Sequence, residues 1–150
     1  MSILTLFSFL APSHSTHCET LRVHEMPDPL VHNIFHSKVL SKLTYCSPSW
    51  RGFSNASDIE RLDAFIRRAK KFNLCSVDIP TIDVIFDKAD DNFFKAITGD
   101  NYHVLHSLLP PKVTHSYALR PRAHPFTLPR KLSGLAECNF LSRMLYKQCC

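Results

Sequence analysis

The stretch Ser57-Asp-Ile-Glu-Arg-Leu-Asp-Ala-Phe-Ile-Arg-Arg-Ala-Lys-Lys-Phe72 has the clearest helical pattern in this chain of 150 residues. Its apolar residues recur every three or four positions and so share one face of a helix. Ser57 and Glu60 have the spacing of a capping box, in which a hydroxyl and a carboxylate bind free amide groups of the first turn. Acidic residues come first and basic residues last, which suits the helix dipole. The sequence therefore predicts an amphipathic helix that starts at Ser57.

Similar spacing predicts further helices on both sides of this one. The first runs from about Pro29 to Tyr45, and another helical pattern opens at Pro80-Thr81 and ends near Gly99. The latter leaves open whether one helix or two is formed. A short helix is expected over residues 101–109, where Pro110 and Pro111 end it, and helical spacing returns over residues 138–147.

The linker over residues 47–53 contains Trp50, the only tryptophan of the chain. Gly52 lies between this residue and Phe53. Because glycine is common in tight turns, we expect the linker to turn at Gly52 and to bring both aromatic side chains into the core.

Composition fits a small, mainly α protein. Hydrophobic residues make up 45% of the chain, which is enough for a modest core, and 3 glycines stand against 10 prolines. Prolines at positions 121, 125 and 129 exclude a continuous helix over residues 112–129, so this segment is expected to be extended. The predicted fold is a small bundle of about four to five helices with an extended, proline-rich basic segment and a short C-terminal helix.

Positive charge is concentrated in that extended segment. The chain has 18 Lys and Arg against 13 Asp and Glu, and no acidic residue occurs between Asp100 and Glu137. Such a segment attracts phosphate or acidic protein surfaces, although isolated basic residues on a solvated surface are more common. The basic residues at the end of the helix over 57–72 have the same two interpretations, as partners of the helix dipole or as part of a nucleic-acid patch.

Cysteine usage and the apolar start of the chain bear on location. The six cysteines form no CxxC pair, so free thiols of an intracellular protein, cytoplasmic or nuclear, are expected. Residues 1–11 are apolar but lack a basic leader and are too short to span a membrane. We expect no cleaved signal peptide and no membrane partner.

Several blocks resemble, in the same order, the region just after the polymerase palm of non-LTR (LINE-type) retrotransposon reverse transcriptases. The resemblance covers roughly residues 20–150, and ordered blocks arise by chance far less often than a single motif. The blocks are Leu21–His24, Lys42–Trp50 with Gly52-Phe53, Asp58–Leu62, Phe65–Arg68, Ala89–Asp91 with Phe94, His103–Pro111, Tyr117–Arg122 and Cys138–Phe140.

This resemblance implies thumb-like helices and a tail that help to hold template and primer, whereas the metal-binding aspartates of the family lie upstream. We therefore expect a piece of the family's protein that starts downstream of its palm and is not an enzyme. Ala89-Asp90-Asp91 is similar to the end of the polymerase Tyr-Ala-Asp-Asp signature, but its flanks have helical spacing and not that of two strands. Arg51 departs from the family, which usually has a second aromatic residue after the tryptophan.

Other chemistry has less support from the residues. The pairs His32/His36 and His103/His106 have spacings that allow two imidazoles to bind one metal ion, but no third ligand is assignable. Surface or capping roles are favoured for these histidines, and no metal or cofactor is predicted. A nucleophilic Cys-His pair lacks any context that would activate the thiol.

Four segments follow from these patterns: a poorly matched N-terminal segment over 1–20, a helical thumb-like region over 21–110, a basic extended segment over 111–136 and a C-terminal helix over 137–150. The predicted function is weak, sequence-independent binding of RNA or DNA. The alternative is a small helical protein-interaction module or a non-functional remnant that self-associates through apolar surface. Residues predicted to contact phosphates are Arg67, Arg68, Lys112, Arg120, Arg122, Arg130 and Lys131, and Tyr117 and Phe126 are predicted to stack on bases.

Overall fold

A computed structural model describes residues 20, 23–113, 124–130 and 133–147 of the chain. These residues are mainly helical and contain no strand beyond one isolated β-bridge. The predicted fold class, a small helical bundle, is confirmed.

The first helical segment contains an irregular turn. Helix α1 (Asp28–Phe35) continues through a π-helical turn (His36–Leu40) into α2 (Ser41–Tyr45), so the predicted helix is confirmed in extent. At the turn, the hydroxyl of Ser41 donates a hydrogen bond to the carbonyl oxygen of His36 at 3.1 Å. One face of the segment is buried, through Val31, Phe35, Val39, Leu40 and Leu43.

The linker forms a short helix α3 (Ser47–Trp50) and a 3-10 turn (Arg51–Phe53). The ring of Trp50 packs edge-on against that of Phe86, with the centroids 5.1 Å apart. A Cβ atom at Gly52 would clash with the carbonyl oxygen of Cys138, so glycine is required by this close approach. The predicted burial of both aromatics is wrong for Phe53, which is 55% exposed.

Helix α4 (Ala56–Lys71) is capped by Asn55, two residues before the predicted cap at Ser57. The side chain of Asn55 accepts a hydrogen bond from the amide nitrogen of Asp58 at 2.8 Å. Asparagine caps a helix as well as serine does, and Asn55 has the extended conformation that a cap requires. The predicted apolar face is buried at Leu62, Phe65, Ile66 and Ala69, whereas Phe72 at its end is exposed.

Helix α5 (Ile82–Gly99) is a single helix of 18 residues, which resolves the open question of one helix or two. Asp63 of α4 caps its start, because its carboxylate accepts a hydrogen bond from the amide nitrogen of Ile82 at 2.9 Å. The bond joins the middle of α4 to the start of α5.

The helix predicted over residues 101–109 is wrong, since only a 3-10 turn (His106–Leu108) forms there. Local side chains compete for the backbone amides. The carboxylate of Asp100 accepts a hydrogen bond from the amide of Tyr102 at 2.8 Å, and Nδ1 of His103 accepts one from the amide of Leu105 at 3.1 Å.

The proline-rich segment is extended where the structure describes it, as predicted. Lys112 and Phe126 form an antiparallel β-bridge. His124 is buried and links this segment to the C-terminal helix: its Nδ1 accepts a hydrogen bond from the amide of Phe126, so its Nε2 donates one to the carbonyl oxygen of Leu145 at 2.9 Å.

Two short helices, α6 (Gly134–Cys138) and α7 (Phe140–Lys147), end the described chain. Asn139 between them has an extended backbone, so the predicted helix over 138–147 starts at Phe140. Ser133 caps α6 by accepting a hydrogen bond from the amide of Ala136 at 3.3 Å.

The core consists of two hydrophobic clusters, and α5 contributes to both. The first cluster lies among α1, α2, α4 and the first half of α5, which provides Ile82 and Phe86. The second joins Phe94 and Ile97 of α5 to Phe126 and to α7. Asp90 lies on α5 between the residues of the two clusters.

Replacement of Phe86 by alanine should destabilise the protein by about 3–5 kcal/mol, because the side chain is fully buried and the cavity would also remove the contact with Trp50. Urea unfolding followed by circular dichroism measures the free energy of unfolding. Val84→Ala on the same helix is the control, since Val84 is 53% exposed and should lose no more than about 0.5 kcal/mol. Equal losses in the two variants would contradict the described core.

Candidate functional site

A buried carboxylate is the centre of a group of salt bridges in the described protein. Asp90 is 1% exposed, and one of its oxygens, Oδ2, lies 3.0 Å from Nη1 of Arg143 and 3.3 Å from Nη1 of Arg51. Arg143 also donates a hydrogen bond through Nη2 to the carbonyl oxygen of Pro48 at 3.2 Å. The linker, the middle of α5 and α7 therefore meet at one carboxylate.

Other acids of α5 extend this contact along the helix. Arg51 also binds Asp87 at 2.6 Å and lies 3.4 Å from Asp83. Lys147 lies 3.2 Å from Asp87 and 3.1 Å from Asp91. The salt-bridge network of α5, as we call this set, consists of Asp83, Asp87, Asp90 and Asp91 with Arg51, Arg143 and Lys147.

Electrostatics in the network favour the charged forms. Burial alone would raise the pKa of Asp87, but hydrogen bonds and attraction from Arg51 and Lys147 outweigh it and hold the pKa below its ordinary value. Burial alone would lower the pKa of Lys147, but the contacts with Asp91 and Asp87 raise it. The pKa of Arg51 is raised in the same way, against burial, by Asp87 and its neighbours.

The network is incompletely satisfied at its centre. Oδ1 of Asp90 and Nε of Arg143 are buried, and neither has a hydrogen-bond partner among the described residues. Buried ion pairs often contribute little net stability because desolvation offsets the attraction, but removal of one partner is costly. The network thus fixes which elements meet more than it adds to the free energy of unfolding.

The helical interpretation of Ala89-Asp90-Asp91 is confirmed, since all three residues lie inside α5. Asp90 is bound by two arginines and Asp91 by Lys147. The two-metal mechanism of nucleotide transfer needs carboxylates that converge on metal ions. In the arrangement observed here, the two carboxylates contact cationic side chains of the protein itself.

The histidine pairs have structural contacts. The ring of His32 hydrogen-bonds to the carbonyl oxygen of Asn73 at 3.2 Å through Nε2, and His103 packs its ring edge-on against Phe93. Within the described ranges, no group of three or more His, Cys, Asp or Glu side chains is arranged to hold a metal ion.

The predicted nucleic-acid residues are divided between two parts of the fold. Arg67 and Arg68 are exposed at the end of α4, which packs in the first hydrophobic cluster. Lys112 and Arg130 are exposed beside the second cluster. Tyr117, Arg120, Arg122 and Lys131 lie outside the described residues.

The prediction that Phe126 stacks on bases needs correction. Its side chain is 5% exposed and packs in the second cluster, with Nζ of Lys112 6.0 Å from the ring centroid. Because it buries its ring in the core, it leaves no open face for a base.

The salt-bridge network was not predicted from the sequence. The four acids of α5 recur at intervals of three and four residues, which places them along one face of a helix, and this spacing was the available signal. Their partners come from distant positions: Arg143 is 53 residues from Asp90. Arg51, which departs from the resembled family, contacts three of these acids.

No protein-family model matches the chain, and neither a curated protein nor a solved structure is significantly similar to it. The resemblance to reverse transcriptases therefore depends on the sequence blocks alone. None of the helices in the described part is long and apolar enough to cross a membrane.

Asp90→Asn should destabilise the protein by about 2–3 kcal/mol, because two partly buried arginines would lose their shared anionic partner. Chemical denaturation at neutral pH measures this loss. Asp78→Asn, at an exposed loop position, is the control and should change the free energy of unfolding by at most about 0.5 kcal/mol. A change in Asp90→Asn no larger than in the control would contradict the network's structural role.

The contribution of Asp87 should depend on pH with a definite sign. Its folded pKa lies below the ordinary value of 3.8, so the stabilisation is complete above that value and is lost as the pH falls through the folded pKa. The stability difference between the wild type and Asp87→Asn should be constant from pH 7 to about 5 and shrink below about 4. Thermal unfolding across this range measures it, and a difference that grows on acidification would contradict the prediction.

Proposed function

We propose that this chain is a non-catalytic protein that associates weakly with single-stranded nucleic acid, without sequence preference. One observation carries the proposal. Arg67 and Arg68 are exposed side by side at the end of α4, and neither forms an ion pair with any carboxylate that the structure describes. Cations that no protein acid neutralises are available to phosphates.

The distribution of acids supports this proposal. Four aspartates of α5, which would otherwise repel a polyanion, face three cations of the protein itself. The adjacent Lys71 is also exposed. The partial negative charge at the C-terminus of α4 also stabilises these cations, and this is the alternative explanation of their position. Because that charge partly offsets theirs, we expect the binding to be weak.

The resemblance to the post-palm region of non-LTR reverse transcriptases points the same way, because that region is thought to hold template and primer. It also motivates the non-catalytic part of the proposal. Asp90 and Asp91 are bound by Arg51, Arg143 and Lys147, so their use as metal ligands would require these salt bridges to break.

A second candidate is a protein-interaction module that includes self-association. Exposed apolar side chains favour it: Tyr102, Val104 and Leu108 project from the irregular segment after α5. Apolar groups that cluster on a surface often mark contacts with other proteins.

Affinity for a fluorescently labelled single-stranded RNA should fall as salt increases, with a log–log slope of roughly −0.7 for each phosphate contact. Replacement of both Arg67 and Arg68 by glutamine should reduce the magnitude of this slope by about 1.4. Fluorescence anisotropy from 20 to about 200 mM salt covers the useful range.

The control variant for this experiment removes two positive charges from other parts of the surface. Lys38→Gln with Lys95→Gln, at two exposed positions on other helices, should change the slope less. Equal effects of the two double variants would contradict a site at Arg67 and Arg68. No binding at low salt, together with concentration-dependent light scattering, would instead support the interaction module.

The purified protein should not extend an annealed primer on an RNA template with Mg²⁺ or Mn²⁺. Its adjacent aspartates, Asp90 and Asp91, lie within a helix and are bound by cationic side chains of the protein. Incorporation of labelled nucleotide measures extension. The control is Asp90→Asn with Asp91→Asn, which removes both carboxylates. Extension by the wild type that disappears in this variant would contradict the non-catalytic proposal.

A further inference from the structure

A groove beside the first hydrophobic cluster has features of a small-molecule site. It has a volume of about 390 Å³ and lies between the irregular first helical segment and the first half of α5. Its size falls in the range of roughly 300–1,000 Å³ that is typical of small-molecule sites. Most of its wall is apolar, with Leu40 on one side and Val84 and Ala89 on the other.

The π-helical turn forms part of this wall. His36 and Leu40, its first and last residues, both line the groove, as does Ser41, whose hydroxyl supports the turn through the carbonyl oxygen of His36. A single π-helical turn within an α-helix is uncommon and costs stability, and such turns occur frequently at functional sites. The turn is therefore an observation about this groove that is independent of its volume.

The charge in the groove is positive. None of the described residues that line it is acidic, and Lys88 of α5 lines it. The neighbours of Lys88 on the helix, Asp87 and Asp91, bind Lys147, whereas Lys88 forms no ion pair with a described carboxylate. An apolar wall with one unpaired ammonium group is complementary to a ligand that has an apolar body and an anionic group.

We propose that this groove binds an amphipathic organic anion, with its apolar body against Leu40, Val84 and Ala89 and its anionic group at Lys88. This activity is separate from nucleic-acid association, because Arg67 and Arg68 do not line the groove. The volume of about 390 Å³ fits one small molecule, whereas a partner helix needs a longer groove.

Two dyes that share an apolar body test the role of charge. 1-Anilinonaphthalene-8-sulfonate carries a sulfonate, and N-phenyl-1-naphthylamine has the same rings without it. Lys88→Gln should weaken binding of the sulfonate dye by about threefold to fivefold and leave the neutral dye unchanged. Fluorescence titration of the full chain measures both dissociation constants.

A second variant keeps the test independent of folding. Val84→Glu changes an exposed side chain of the groove wall. It should weaken binding of the sulfonate dye more than Lys88→Gln does, because it adds a negative charge. Lys95→Gln, on the same helix but outside the groove, should leave both dyes unaffected. Melting temperatures of all variants show that each is folded.

The proposal is overturned if the sulfonate dye shows no saturable binding, or if Lys88→Gln binds it as tightly as the wild type does. It is also overturned if both dyes lose affinity in parallel in a folded Lys88→Gln protein, since charge would then play no part. The expected result is a selective loss of affinity for the sulfonate dye in Lys88→Gln, a larger loss for that dye in Val84→Glu, and no change in Lys95→Gln.

Discussion

The carboxylate of Asp90, held between Arg51 and Arg143, is the contact on which the arrangement of the helices depends. It lies on the longest helix, between the residues that this helix gives to the first hydrophobic cluster and those it gives to the second. Apolar packing is not directional, so it does not by itself specify how the linker and α7 approach α5. A buried carboxylate that is costly to leave unpaired supplies this direction.

The elements that meet at Asp90 make further close contacts with one another. Gly52 beside Arg51 has to be a glycine because the backbone of α6 passes close to it. Lys147 at the end of α7 binds two further acids of α5. His124 holds the extended segment to α7 through the carbonyl oxygen of Leu145. The acids of α5 are thereby occupied within the protein, which leaves the basic end of α4 as an exposed cationic surface.

Local features of the fold could be predicted from the sequence, and contacts between distant residues could not. The faces of α4 and α5 follow from apolar spacing within one segment, so both helices were predictable. The predicted start of α4 was wrong because two capping residues that are two positions apart, Asn55 and Ser57, compete and the pattern does not rank them. The helix predicted after α5 was wrong because the ring of His103 binds a backbone amide that a helix would have used. Arg51 looked like an irregularity, since its role depends on a helix that begins about thirty residues later.

A double-mutant cycle between Asp90 and Arg143 tests the central contact most directly. The free energies of unfolding of the wild type, Asp90→Asn, Arg143→Gln and the double variant are measured by urea denaturation at neutral pH and low salt. The contact observed at 3.0 Å predicts a coupling energy of about 1–3 kcal/mol, so the double variant should lose clearly less than the sum of the two single losses. Additive losses, within about 0.3 kcal/mol, would show that the two side chains act independently and would contradict the account.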